Sequence, residues 1–285
     1  VTGAGPGVGS EIVNRREFLE LVGLGSLSAI VPPLLNDPLL ERIGLQLHTV
    51  RTLMETSVAL TLEMVAKIGY REVEFAGYFG ARPAQLRSWL DGLGLSAPSA
   101  HVSVLDGNLD QLFDTAAELG HRYLVQASLP LETQQSADRF RRAAAALNRA
   151  GELARQRNLQ VAYHNHDFEF SRRDDAVPYD ILLQETDPDL VTMELDLYWM
   201  TKGERDPLAY FHHHPGRFRL CHLNDMDQRG GMTEVGRGRI DFSTILNQQK
   251  KAGLSHFFVE HDHPPDPIAS VRASFNYLHQ QRRPE

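Results

Sequence analysis

The segment VAYHNHDFEF, residues 161–170, sets His164 and His166 two positions apart behind an apolar run. In an extended strand, residues i and i+2 project to the same side, so both imidazoles would address one place. Two nitrogen donors at one place suit a hydrogen-bonded polar cluster or a metal ion. Further donors recur along the chain at comparable points. Gln46 and His48, Glu74, His101, Gln126, Glu194 and Asp196, His222 and Asp225, and Glu260 each stand at or near the end of a short, largely apolar run. His, Asp and Glu without thiolates suit one divalent cation of the hard or borderline kind: Mn, Co, Zn, Fe or Mg. Asp196, His222 and Glu260 come from three successive runs, and a histidine of the 161–170 segment could close a four-ligand set. A ligating histidine needs its second ring nitrogen held, and Asn165 and Glu169 are the nearest candidates in sequence.

The elements that must position these residues repeat as one unit from residue 43 onward. Strands are predicted at 43–48, 72–77, 95–101, 123–128, 159–166, 190–196, 218–225 and 256–262. Between them, and after the last, apolar residues recur at helical spacing, as in SVALTLEMVAKIG and SADRFRRAAAALNRAGELARQR. Gly69, Gly94, Gly120 and Gly253 fall where helix C-caps belong. Eight strands alternating with helices predict an α/β protein, a (β/α)8 TIM barrel in a single domain. Such barrels carry their active sites at the C-terminal ends of the strands, which is where the polar residues above fall.

The chain has 285 residues, 42% hydrophobic and 23% charged, with a net charge of −8. That composition is globular, and the negative balance argues against nucleic acid as a partner. The single cysteine, Cys221, excludes an intrachain disulfide and a multi-cysteine metal site. Residues 1–40 read as a leader and 41–285 as the barrel. In the leader, Arg15 and Arg16 precede Phe18, Leu19 and a weakly hydrophobic run broken by Pro32 and Pro33. This resembles a twin-arginine export signal and implies an extracytoplasmic location. No A-x-A cleavage site follows, which leaves membrane attachment through an uncleaved signal open. The glycine cluster GAGPGVG at 3–9 has only two residues before it and so lacks the strand that a dinucleotide fingerprint needs.

From 43 to 282 the chain resembles the xylose isomerase-like barrel superfamily. The resemblance rests on KIGYREVEFAG, AYHNHDFEF, MELDLYW, CHLND followed by VGRGRIDF, and FVEHDH. These are the sugar phosphate isomerases and epimerases, with inosose dehydratase and AP endonuclease relatives. The family's usual metal quartet is a Glu, an Asp, a His and a Glu on strands five to eight. Asp196, His222 and Glu260 match the last three. At the fifth strand, His164 stands in place of the glutamate, with His166 two on, so one member of the epimerases' two-glutamate proton shuttle is missing.

The resemblance implies proton abstraction next to the carbonyl of a small sugar. The expected ligands are Asp196, His222 and Glu260 with His166 and Glu194. His164 and Glu260 are the candidate bases, and His101 is a further proton-handling candidate. His48, Glu74, Gln126, Asp225 and Arg237 are expected to bind substrate. The leading expectation is a sugar or keto-sugar isomerase or epimerase. Elimination from a keto-sugar or 3-keto-glycoside is the alternative, and a non-catalytic sugar-binding barrel the next.

Overall fold

The structure is a computed structural model that describes residues 42–280. The leader, with Arg15, Arg16 and the glycine cluster, lies outside the described residues. Eight strands form the barrel: β1 (Ile43–Gln46), β2 (Glu72–Ala76), β3 (Ser96–His101), β4 (Tyr123–Gln126), β5 (Gln160–His164), β6 (Val191–Asp196), β7 (Phe218–Leu223) and β8 (His256–Val259). Each pairs in parallel with the next, and β8 closes on β1 through Ile43–Phe257, Gly44–Phe258 and Leu45–Val259. This is the expected single-domain (β/α)8 barrel.

The helices that return the chain carry amphipathic faces and defined caps. Asn108 caps Leu109–Leu119 and Asp241 caps Phe242–Leu246, each accepting a backbone N–H in the first turn. Gly69, Gly94, Gly120 and Gly253 are C-caps with positive φ, as their spacing predicted. The segment between Asp241 and Gly253 forms two short helices, Phe242–Leu246 and Gln249–Ala252. Among the features with no counterpart in the sequence reading are a short helix and a hairpin beside the polar end. The short helix Leu197–Lys202 follows β6 directly, and a hairpin, Asp225–Met226 with Met232–Thr233, follows β7. Among the described residues no helix is long and apolar enough to cross a membrane.

The barrel interior is layered, because alternate residues of each strand point inward. Tyr123, Val125, Ala162, Leu220 and Phe258 form an apolar plug. Gly44 admits the Phe258 ring, which would lie 2.4 Å from a Cβ at that position. Beyond the plug, toward the C-terminal ends of the strands, the inward positions turn polar.

Candidate metal centre

Four side chains from consecutive strands converge at this polar end. His164 and Asp196 are the last residues of β5 and β6, and His222 lies within β7. Glu260 follows β8, but its N–H still bonds Leu223 O at 3.1 Å, so the ladder geometry reaches it. Their donor atoms lie within 4.8 Å of one another, and all four residues are buried. His222 Nδ1 is 2.8 Å from Glu260 Oε2 and 3.6 Å from Asp196 Oδ2, and His164 Nε2 is 3.4 Å from the same Asp196 oxygen.

Each donor is held from behind. His164 Nδ1 stands 3.1 Å from Ala127 O. A carbonyl only accepts, so Nδ1 carries a proton and Nε2 is the nitrogen that faces the quartet. Asp196 Oδ1 accepts from Trp199 N at 2.7 Å and so caps the helix Leu197–Lys202. Its Oδ2 accepts from Asn224 Nδ2 at 2.5 Å, while Asn165 Oδ1 takes its backbone N–H at 3.0 Å. Burial raises the Asp196 pKa, but its contacts with His164 and His222 outweigh that and hold the carboxyl ionised, below the usual range.

A second group lies deeper. Glu74, His101, Glu194 and His222 also bring donor atoms within 4.8 Å of one another. Glu194 sits two residues before Asp196 on the same face of β6, one pleat further from the mouth. His101 Nε2 lies 2.6 Å from Glu194 Oε2 and 3.2 Å from Glu74 Oε1, and His222 Nε2 is 2.8 Å from Glu74 Oε1. Burial alone would lower the His101 pKa, but Glu74 and Glu194 push it up to about 10. His101 is thus an imidazolium bridging two carboxylates. Glu74 Oε2 and Glu194 Oε1 remain buried with no hydrogen-bond partner among the described residues.

Both donor sets are all nitrogen and oxygen, buried and closely spaced, and they fit one divalent cation. Glu194, expected among the quartet's ligands, belongs to the deeper group. Glu74 does too, although it was expected to meet substrate. His166 lies outside both groups, contrary to its expected place among the ligands. β5 ends at His164, so His166 is in the loop and no longer follows strand alternation. Its ring stacks on Phe168 and tilts against Trp199, and its Nδ1 is buried without a partner among the described residues. Burial, and then His164, hold its pKa down to about 3, so the ring is neutral.

Other expected substrate contacts are engaged elsewhere. The Asp225 carboxylate accepts the backbone N–H groups of Met226, Gly236, Gly238 and Ile240, and so pins the loop after the hairpin. Arg237 points to solvent and pairs with Glu234. Gln126 braces the loops after β3 and β4 through Val104 N and Ser128 O. His48 sits half-buried in the 3-10 turn Leu47–Val50, near the mouth, its pKa lowered by burial. His212 and His213 are exposed at the end of the helix Pro207–His213, away from both donor groups. Asn224 and Asp262 were not singled out from the sequence. Each adjoins a motif residue, Asn224 in CHLND and Asp262 in FVEHDH, and that adjacency was the available signal. Asp262 is pushed up to about 7 by burial and by Glu260 and Asp196.

Glu169 does not hold a ligand's second nitrogen. It accepts from Tyr163 Oη at 2.5 Å and from the His166 backbone N–H at 2.9 Å, which shapes the loop that carries His166. Burial raises its pKa to about 7 despite these bonds. The folded protein therefore holds a proton here that the unfolded chain releases near its ordinary pKa, so stability falls as pH rises from about 4.5 to about 7. The loss is of order 3 kcal/mol. Urea unfolding across this range should show that decline in the parent, and a visibly flatter profile in Glu169→Gln.

A closed (β/α)8 barrel with such donor sets at the C-terminal mouth has the form of a metal-dependent catalytic site. The family model described as xylose isomerase-like TIM barrel matches residues 62–281, and the chain belongs to that family. It is 22% identical over 245 residues to an inosose dehydratase of Lacticaseibacillus casei, covering 72% of this chain and 82% of that protein. It is 25% identical over 209 residues to an inosose dehydratase of Geobacillus kaustophilus, covering 65% and 67%. A solved sugar phosphate isomerase/epimerase from Parabacteroides distasonis superposes with a TM-score of 0.74 at 26% identity, covering 85% of this chain and 94% of that one.

Proposed function

We propose that the protein is a metal-dependent lyase that removes water or another β-substituent from a keto-sugar. The observation that carries this reading is the composition of the quartet: His164, Asp196, His222 and Glu260 include a single glutamate. An epimerase of this family uses two, one on each side of the carbon. Here the fifth-strand position offers an imidazole whose proton sits on the outer nitrogen. The similarity to inosose dehydratases supports the same direction.

A divalent ion held by the quartet supplies Lewis-acid stabilisation of the negative charge that develops on the substrate oxygens. The chain's own residues handle the proton. His166 presents a neutral ring with a free Nδ1 beside the quartet. It takes the proton next to the carbonyl as the carbon–carbon double bond forms. The resulting imidazolium returns the proton to the departing hydroxyl, which leaves as water. Trp199 and Phe168 flank this ring and keep bulk water from it. Isomerisation or epimerisation is the second reading, supported by the likeness to the sugar phosphate isomerase/epimerase; the proton then returns to carbon.

The test is to load the full chain with Mn2+, supply an inosose and a 3-keto-glucoside in deuterated water, and follow each by proton NMR and near-ultraviolet absorbance. Elimination predicts loss of the proton beside the carbonyl together with a new conjugated enone. Deuterium incorporation with the carbon skeleton and hydroxyl count unchanged would replace the lyase with an epimerase. Binding without any exchange would mark a sugar-binding barrel.

A further inference from the structure

His222 is shared between the two donor groups, one ring nitrogen facing each, so the position of its proton decides which group can take a cation. That position can be followed from the backbone. The His48 backbone N–H can only donate, and it lies 3.0 Å from Gln46 Oε1. This fixes the Gln46 amide and turns its Nε2, which can only donate, toward Glu74 Oε1 at 2.7 Å. Glu74 Oε1 is therefore an acceptor. His222 Nε2, 2.8 Å from that oxygen and fully buried, must carry a proton to make the contact. In the neutral ring Nδ1 is then left with a lone pair. It faces only acceptors, Glu260 Oε2 at 2.8 Å and Asp196 Oδ2 at 3.6 Å. A lone pair between two buried carboxylates is repulsive unless a cation stands among them or the ring takes a second proton.

We infer that Glu74, oriented by Gln46, is a positioning residue that fixes the Nε2–H tautomer of His222 and thereby places the metal in the quartet rather than in the deeper group. This rests on the metal-dependent reading of the site. In the deeper group the His101 and His222 N–H donors already meet Glu74 Oε1 and Glu194 Oε2, so neither ring nitrogen there offers a lone pair to a cation, although Glu74 Oε2 and Glu194 Oε1 have no partner among the described residues. The chain His48 N–H, Gln46, Glu74, His222 runs from β1 through β2 to β7, the carboxylate-to-histidine-to-metal arrangement that raises the basicity of a ligand.

The experiment titrates Co2+ against a competing chelator into the full-length protein, its Glu74→Gln and Gln46→Ala variants, and His164→Gln. Glu74→Gln should bind Co2+ about 10- to 100-fold more weakly, the usual cost of losing such a partner, and Gln46→Ala should fall in the same direction by less. His164→Gln should lose Co2+ binding, because a direct ligand is gone. A measurement on the unmutated protein covers the case of poorly folding variants. In the Zn2+-loaded protein, with 15N-labelled histidine, His222 should show a protonated Nε2 and a metal-bound Nδ1. The inference is overturned by a protonated Nδ1, by unchanged affinity in Glu74→Gln, or by a Glu74→Gln that abolishes binding while His164→Gln leaves it intact. The last result would put the ion in the deeper group. Failure of the unmutated protein to bind either ion would instead overturn the metal reading as well.

Discussion

Asp196→Asn is expected to yield a folded barrel that no longer retains a divalent ion. Asparagine keeps an oxygen for Trp199 N, so the cap on the helix Leu197–Lys202 survives. What changes is the second atom. Oδ2 faces His164 Nε2 and His222 Nδ1 and accepts from Asn224, and an amide nitrogen there brings donors against the Asn224 donor and no charge to the cation. The mismatch costs about 1–3 kcal/mol of stability, which a barrel of this size can absorb. Lewis-acid stabilisation is worth several kcal/mol, and about 1.4 kcal/mol is a decade in rate, so turnover should fall by about 10³-fold or more. Elemental analysis of untagged protein should give near-stoichiometric metal in the parent and a small residue in the variant, with matching circular dichroism. Full metal retention in a folded Asp196→Asn would remove the quartet from the mechanism.

The two histidines of VAYHNHDFEF should separate cleanly on mutation. His164→Gln is expected to lose metal, because its Nε2 is the fifth-strand donor and its Nδ1 is committed to Ala127 O. His166→Gln should keep metal and the fold, yet lose about 10²-fold or more in turnover, the scale of a missing acid–base group. Glutamine matches the polar reach of imidazole but cannot carry a proton between carbon and oxygen. Metal content and single-turnover rate, measured together, make the comparison. Two variants with parental metal and parental rate would make both rings structural.

Much of this architecture was legible before any coordinates. Strand alternation and helix spacing are local properties, so the eight-fold repeat, the helix caps and the polar strand ends could be read directly from the chain. Asp196, His222 and Glu260 were marked for the same reason: each lies in or directly beyond a strand, where the inward face can be counted. The placements that strand alternation did not foresee fall where strands stop. His166 and Asp225 lie two residues past the ends of β5 and β7, and beyond a strand the side-chain direction is set by the loop. Asp225 is consequently captured by four backbone N–H groups, three of them more than ten residues downstream.

The sequence by itself determined the barrel, the end of it that bears chemistry, and the residue types available there. Only the tertiary structure decided which of those residues meet. His222 and Glu74 are 148 positions apart and touch because closure of β8 on β1 brings opposite sides of the sheet across one interior. The division of the donors into a quartet and a deeper group follows from strand stagger around that interior, and the choice of ring nitrogen follows from partners contributed by other strands. Periodicity states which way a side chain points along its own strand; the distance to a partner on another strand depends on register and closure, which are settled by the packing of the whole barrel.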